Sequence, residues 1–529
     1  MQAQVLVGGR WRDARDPQGS FRAEDPTRAE AIGPAFPVSG QADVDAALAA
    51  ALGVAPAFAQ APPARIAAFL DGYAAAIEAD ADTLVALAAE ETALPAEPRL
   101  RHVELPRTTG QLRQAAAAVR AYAWTDPVID TAAGLRAHRA PLGKPVLVFG
   151  PNNFPFAFNA IAGSDFASAI AARNPVIAKA HPSHPATSRR LAELAHDALM
   201  AAELPADAVQ MLYHVDNAVG TRLAGDGRLG AIGFTGSRAG GLALKAAADQ
   251  VGVPTYAELS SVNPVFLLRG ALAENGAALA QEFFTSCTMG SGQFCTNPGI
   301  VVLPPGDEAN AFEAEATRHF AAGAPRPLFS RGVQENLVRA LASLVHAGAT
   351  VLAGGDVGGG QGYRHQPTLL RVDARAFLAA PAALQAEAFG PTSLLVRTRT
   401  DDELAAVAAA FEGNLTATLY RAVDGSDDAT WATVAPRLRA RVGRLIANKM
   451  PTGVAVSPAM NHGGPYPATS HAGFTSVGMP AAIQRFTALH SYDNVPDHLL
   501  PPELRDRNPG GIARRIDGRW SDGDVGATS

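Results

Sequence analysis

From Val146 onward, short apolar runs alternate with amphipathic stretches of helical period, and no other feature of the chain restricts its fold as much. "VLVFG" (Val146–Gly150), "VIA" (Val176–Ala178), "VQMLYH" (Val209–His214) and "AIGFT" (Ala231–Thr235) read as strands. Ala160–Arg173, Pro185–Ala201 and the stretch from Thr235 through Ala248 read as helices. Strands separated by helices of about 10–15 residues indicate βαβ units and a parallel sheet, so the expected class is α/β. Such sheets bind dinucleotides at the carboxyl ends of their strands. A second αβ series runs from near Pro264 to about Phe486, with strands at Ile300–Leu303 and Ser393–Arg397 and a helix at Gln334–Ala347. Before the first series, Val5–Trp11 reads as a short strand, and Ala42–Glu91 as two or three helices broken at Pro62 and Pro63. Gly354–Gly362 reads as a surface loop, and the tail from Pro496, rich in Pro, Asp and Arg, as an extended arm.

Of the 529 residues, 48% are hydrophobic and 18% charged, enough for more than one large core. The formal net charge is −6 and the basic residues are scattered, so no nucleic-acid partner is expected. Every apolar stretch is broken by charge, Gly or Pro before about 18 residues, so no membrane partner is expected either. Met1–Arg12 lacks the pattern of a secretory signal. The only cysteines are Cys287 and Cys295, with no Cys/His cluster in sequence, which speaks against a disulfide framework or a bound metal and for a reducing cytoplasm.

Five local patterns carry possible chemistry. In "GSGQFCTNPG" (Gly290–Gly299), Cys295 sits in a polar, Gly-rich turn. A thiol there is either buried filler or a nucleophile whose thiolate is stabilised. In "YAELSSVNP", Glu258 follows an apolar strand, and a carboxylate at a strand end is a helix cap, an ion-pair partner or a general base. In "FGPNNFPFAFN", a strand enters a turn containing Asn153, an amide that either shapes the turn or faces a developing oxyanion. Lys179, in "VIAKAHPSHP", ends a strand where a cofactor ribose or phosphate sits. In "FTGSRAGG", a strand runs through Gly236 and Ser237 into a helix whose N-terminal amides can meet a pyrophosphate.

Taken in order, with "EAFGP" at Glu387–Pro391, these motifs resemble the aldehyde dehydrogenase superfamily over nearly the whole chain. "KAHPSHP", "FTGSRAGG", "ELSSVNPVF", "GQFCTNPG", "RTTGQLR" and the tail "YDNVPDHLLPPELRDRNPGGIARRIDG" are similar to its α-ketoglutaric semialdehyde (2,5-dioxopentanoate) dehydrogenases. The resemblance implies two doubly wound αβ domains and a small β oligomerisation element. The dinucleotide-binding domain is expected at 1–123 and 142–260, the catalytic domain at 261–485, and the oligomerisation element with its C-terminal arm at 124–141 and 486–529. It also implies a homodimer or homotetramer acting on a small-molecule aldehyde.

By the same resemblance, Cys295 attacks the aldehyde to form a thiohemiacetal, Asn153 and the Cys295 N–H hold the oxyanion, and Glu258 activates the water that hydrolyses the resulting thioester. Lys179 binds the cofactor ribose, Gly236, Ser237 and Gly241 shape the pyrophosphate turn, and Glu387 and Phe389 position the nicotinamide end. The cofactor is NAD or NADP, since Pro182 stands where many NAD-specific relatives carry a Glu and no Arg is evident for a 2′-phosphate. For oxidation of 2,5-dioxopentanoate to 2-oxoglutarate, Arg107 is the candidate cation for the substrate carboxylate, and Phe156 and Phe158 are candidates for the tunnel wall. The competing readings are an aldehyde dehydrogenase for medium- or long-chain aliphatic aldehydes, an acyl-transferring reductase, and a catalytically silent homologue serving as a binding protein. The presence of Cys295, Glu258 and Asn153 speaks against the silent homologue, and Glu258 against the reductase.

Overall fold

The four strands expected between Val146 and Thr235 lie side by side in one seven-stranded sheet of the computed structural model, which describes residues 2–526. Its order is Thr255–Glu258, Ala231–Thr235, Val146–Phe149, Val176–Lys179, Val209–Leu212, Val5–Leu6 and Trp11–Arg12. The first five strands are parallel, and the last two form an antiparallel hairpin. Val146–Phe149 and Val209–Leu212 are buried at every position; the first reads as an unbroken apolar run, and in the second Gln210 accepts from Gly8 N and donates to the Asp207 carbonyl. Connection order reverses between Val146–Phe149 and Ala231–Thr235. Their carboxyl ends therefore send the chain to opposite faces of the sheet and leave a crevice between them.

Three helices, Gln41–Ala59, Pro63–Ala79 and Ala81–Thr92, precede that sheet and contribute to its core. The Tyr73 hydroxyl, buried among them, donates to the Ile161 carbonyl (3.1 Å) or the Leu191 carbonyl (3.0 Å). Gln41–Ala59 is the one helix among the described residues long and apolar enough to cross a membrane. Its Val44, Leu48, Ala51 and Phe58 pack into the core, and its buried Asp43 pairs with Arg12 at 2.7 Å. Leu48 and Phe58, two of its largest apolar side chains, are thus buried in the core.

The second seven-stranded sheet has the order Thr350–Ala353, Thr368–Asp373, Thr392–Arg397, Ile300–Leu303, Val265–Leu267, Asn414–Tyr420 and Val442–Ala447. All its pairings are parallel except that of Thr350–Ala353. A third, five-stranded sheet orders Thr487–Asp493, Leu135–Pro141, Val128–Asp130, Arg514–Ile516 and Arg519–Ser521.

Three local expectations are corrected. The helix expected at Ala160–Arg173 is confined to Ser164–Ala171. The Asn159 side chain holds the preceding turns, accepting from Ile161 N (3.1 Å) and donating to the Pro155 carbonyl (2.8 Å) and Ser188 Oγ (3.0 Å). Val5–Trp11 is not one strand but two short ones folded about Gly8 and Gly9, both at positive φ. The tail after Pro496 is more than an arm. Arg514 is fully buried, donates to the carbonyls of Arg505, Asp506 and Gly523, and anchors a two-stranded hairpin to the third sheet.

Candidate active site

The crevice at the strand reversal opens into a cleft of about 760 Å³ that runs from Lys179 to Cys295. Asn153, Gly236, Ser237, Glu258, Glu387 and Phe389 also line it. Lys179, Gly236 and Glu258 meet because the first sheet's parallel strands end on the same side, and Cys295, Glu387 and Phe389 reach the cleft from segments that precede strands of the second sheet.

Glu258 is the last residue of the edge strand Thr255–Glu258. A returning segment lies along that edge, with Leu259 N donating to the Ala468 carbonyl (2.8 Å) and Ser470 N to the Ala257 carbonyl (2.9 Å). The same segment brings His462 and Ser476 to the carboxylate. Ser476 Oγ donates to Glu258 Oε2 at 3.1 Å, and His462 Nε2 lies 2.9 Å from Glu258 Oε1. Burial alone would raise the Glu258 carboxyl, but the charge and hydrogen bond of His462, with bonds from Ser476 and Cys295, hold it below its ordinary value.

Cys295 is delivered by a tight turn. After the helix Arg269–Thr288 the chain passes through Gly290, Ser291 and Gly292, all left-handed with φ of 54°, 57° and 69°. A Cβ on Gly292 would collide with the Gly390 backbone, so glycine is required there on two counts. Asn263 Nδ2 then donates to the carbonyls of Cys295 (2.8 Å) and Asn297 (2.9 Å) and fixes the far side of the turn. Cys295 Sγ ends 3.5 Å from His462 Nε2. Burial and then the neighbouring Glu258 charge push the Cys295 thiol well up, against a smaller downward pull from Arg107. The group therefore rests as a thiol, with His462 and Glu258 beside it. Asn153 Nδ2 donates to the Gln293 carbonyl (3.1 Å), which orients the amide beside the nucleophile and leaves its second N–H for an oxyanion.

The other half of the cleft fits a dinucleotide. Lys179 closes its strand with no carboxylate acting on it, and burial lowers its amine to about 8. Ser237 caps the 12-residue helix Arg238–Asp249, its Oγ accepting from Gly240 N at 3.3 Å, so the helix N-terminus faces the cleft where a pyrophosphate is favoured. Gly241 lies one residue behind the lining; a side chain there would strike Leu259, so it seats the helix on its neighbour. Glu387, pushed up to about 7 mainly by burial, is held by Ser260 and Ser261.

On the substrate side, Phe154, Phe158, Phe294 and Val477 form an apolar cluster with Met460 packed against it. Arg107 stacks its guanidinium over Phe158 (5.0 Å) and Phe154 (5.4 Å). One of its terminal nitrogens is buried without a hydrogen-bond partner, and its charge interacts first with Glu104 and then with Cys295 and Glu258. Phe156 is not part of this wall. It is fully buried in the core of the first sheet, because residues 154 and 158 point one way along the turn and 156 the other. Phe154 takes the place expected of it.

Sequence reasoning missed His462 and Ser476. The signal available was "NHGG", a histidine beside two glycines in a stretch without strand or helix pattern, Pro451–Met479.

Comparison with known proteins shows the family. The model of the aldehyde dehydrogenase family matches residues 11–491. Alpha-ketoglutaric semialdehyde dehydrogenase 2 of Azospirillum brasilense is 41% identical, over 95% of this chain and 96% of its own length. Alpha-ketoglutaric semialdehyde dehydrogenase of Acinetobacter baylyi is 36% identical, over 85% and 86%. Among solved structures, a putative aldehyde dehydrogenase from Burkholderia cenocepacia superposes with a TM-score of 0.78 at 25% identity, covering 96% of this chain and all of that one.

Proposed function

The chain belongs to the aldehyde dehydrogenase family, and on that premise we propose that it oxidises 2,5-dioxopentanoate to 2-oxoglutarate. It is an oxidoreductase acting on aldehydes, with NAD or NADP as its cofactor. The observation that carries the substrate reading is Arg107: a guanidinium buried against aromatic walls, with an unpartnered N–H donor, near the nucleophile. Glu104, the opposite charge that acts on it most, is itself paired with Arg99, and a buried donor left without a partner is costly; a substrate carboxylate would satisfy it. The names of the two relatives point to the same substrate class.

In this reading Cys295 Sγ forms a bond to the aldehyde carbon while its proton leaves by way of the neighbouring His462–Glu258 pair to solvent, so that Glu258 is ionised again before the thioester is hydrolysed. The second N–H of Asn153 stabilises the oxyanion, a contribution of about 3–4 kcal/mol for such a donor. The bound cofactor supplies the hydride acceptor, placed by Lys179, the Ser237 helix cap, Glu387 and Phe389. Glu258 then takes a proton from the water that hydrolyses the thioester on Cys295, and its bond from Ser476 keeps it aimed.

The apolar walls Phe154, Phe158, Phe294 and Val477 favour a second reading, oxidation of medium- or long-chain aliphatic aldehydes. Steady-state rates on 2,5-dioxopentanoate and on an aliphatic aldehyde of similar length, with each cofactor, separate the two. A higher kcat/KM on the aliphatic aldehyde would overturn the keto-acid assignment.

We place the protein in the cytoplasm, where a reducing medium keeps Cys287 and Cys295 as free thiols. The parts are read as a dinucleotide-binding unit at 1–123 and 142–260, a catalytic unit at 261–485 and an oligomerisation unit formed by the remainder. A homodimer or homotetramer is supported by the third sheet, whose outer strands expose Leu489 and Trp520.

A further inference from the structure

Cys295 Sγ, His462 Nε2 and a Glu258 carboxylate oxygen all lie within 4.8 Å of one another, the one such trio of ligand atoms among the described residues. The three donors come from a strand end, the Gly292 turn and the returning segment, and each is held from behind. Asn263 bonds the Cys295 carbonyl, Ser476 bonds Glu258, and His462 N donates to Thr475 Oγ1 at 2.8 Å. A catalytic zinc site has this form: three protein ligands of N, S and O type with one position open. Zinc bonds of about 2.0–2.3 Å in a tetrahedron place ligand atoms roughly 3.3–3.6 Å apart. The Sγ–Nε2 separation of 3.5 Å already meets that spacing, and the Nε2–Oε1 separation of 2.9 Å must open slightly. Cys295 and Glu258 both line the cleft, so an ion can enter from it.

We propose that Cys295, His462 and Glu258 form a reversible zinc-binding site that holds the enzyme in an inactive state. Zn²⁺ adds to Sγ as the thiol proton leaves to solvent, with no change of oxidation state, and Nε2 and the carboxylate complete the protein's share of the coordination. The thiolate and carboxylate charges neutralise the dication. Mg²⁺ and Ca²⁺, which take oxygen ligands in larger number, are not accommodated. While zinc is bound, the sulfur lone pair that would attack the aldehyde is engaged. The inhibition rests on the aldehyde-oxidising reading; the binding does not.

The test uses the full-length protein with zinc, cobalt and magnesium salts. Calorimetry is expected to show one Zn²⁺ per chain with release of one proton. Co²⁺ is expected to give a thiolate-to-metal absorption band that Cys295→Ala abolishes. Zn²⁺ is expected to protect Cys295 from iodoacetamide by at least tenfold in rate, a chelator to restore labelling, and Mg²⁺ to do nothing. His462→Gln should weaken zinc binding at least tenfold while melting like the parent. If His462→Gln does not fold, the Cys295→Ala cobalt spectrum and the labelling of the parent decide. Absence of stoichiometric binding, a cobalt band that survives Cys295→Ala, or unprotected labelling would overturn the proposal. Binding and protection without loss of aldehyde oxidation would keep the site and remove its inhibitory role.

Discussion

His462 Nε2 lies between the two groups that the reaction needs, 2.9 Å from Glu258 Oε1 and 3.5 Å from Cys295 Sγ. A proton leaving the thiol therefore meets the imidazole or the carboxylate without a water in between. His462→Gln is expected to lower kcat by about 10²-fold, the scale of a lost proton acceptor. Rapid-mixing measurement of the first turnover should show the defect in cofactor reduction itself. An unchanged first turnover would leave His462 with no part in thiol activation.

Glu258 acts after the hydride has left. Glu258→Gln is expected to slow steady turnover about 10²–10⁴-fold. The diagnostic is a burst of reduced cofactor, one equivalent per site, with the chain trapped as a thioester visible by mass spectrometry. Slow single-phase reduction without a burst would instead place Glu258 before hydride transfer.

For Arg107, the expectation is selective loss. A charged hydrogen bond contributes about 1.5–3 kcal/mol, so Arg107→Leu should lower kcat/KM for 2,5-dioxopentanoate roughly 10–100-fold. Rates on an uncharged aliphatic aldehyde of similar length should hold or rise. Parallel losses on both substrates would mean that Arg107 supports the site's shape rather than the carboxylate.

Lys179 gives a pH signature. Burial lowers its amine to about 8, so the positive charge facing the cofactor is full at pH 6.5 and fades as pH rises through 8. Cofactor affinity, followed by quenching of intrinsic fluorescence, is expected to weaken across that window. Lys179→Met should bind more weakly at neutral pH and lose the dependence. A wild-type affinity that is flat from pH 6.5 to 9 would contradict this role.

Glu91 bears on stability rather than catalysis. Its buried carboxyl sits under the helix Pro185–Ala201, accepting from Ala186 N (2.8 Å), Thr187 N (2.9 Å) and Thr187 Oγ1 (2.7 Å). Burial, the largest influence, outweighs these bonds and raises it to about 7. Between the unfolded value and 7 the native chain binds the extra proton, so this group favours the folded state at low pH and loses that contribution as pH rises. The scale is about 3 kcal/mol across the window. The melting temperature of Glu91→Gln should therefore change less between pH 5 and pH 7.5 than that of the parent.

Patterns of period and apolarity made the first sheet legible but only two strands of the second, Ile300–Leu303 and Thr392–Arg397; Asn414–Tyr420, buried throughout, carries Asn414, Thr416 and Thr418 and shows no apolar run. The cleft residues were legible for a different reason: Lys179, Gly236 and Glu258 each stand where a strand ends, and a parallel sheet gathers its strand ends. His462 could not be found that way, since its segment lies on an edge without regular repeat and is placed by long-range contacts such as Leu259 N to the Ala468 carbonyl. Phe156 was misplaced because residues 151–163 follow turn geometry, not helical spacing. The C-terminal hairpin did leave a trace. Asp517-Gly518 joins its strands with both residues at positive φ (49° and 81°), the two-residue loop that Asp-Gly favours, but strands of three residues are too short to show a period.

The third sheet also sets an order of events at synthesis. Arg514–Ile516 pairs with Val128–Ile129, so a strand made early waits for one made far later before its edge is covered. The first sheet, complete at Glu258, can form while the residues after it are still being translated, but the third cannot close until Arg514–Ile516 has been made. During that interval the exposed edge of Val128–Asp130 is a template for a neighbouring nascent chain, and loss of the Arg514–Ile516 strand would make that exposure permanent.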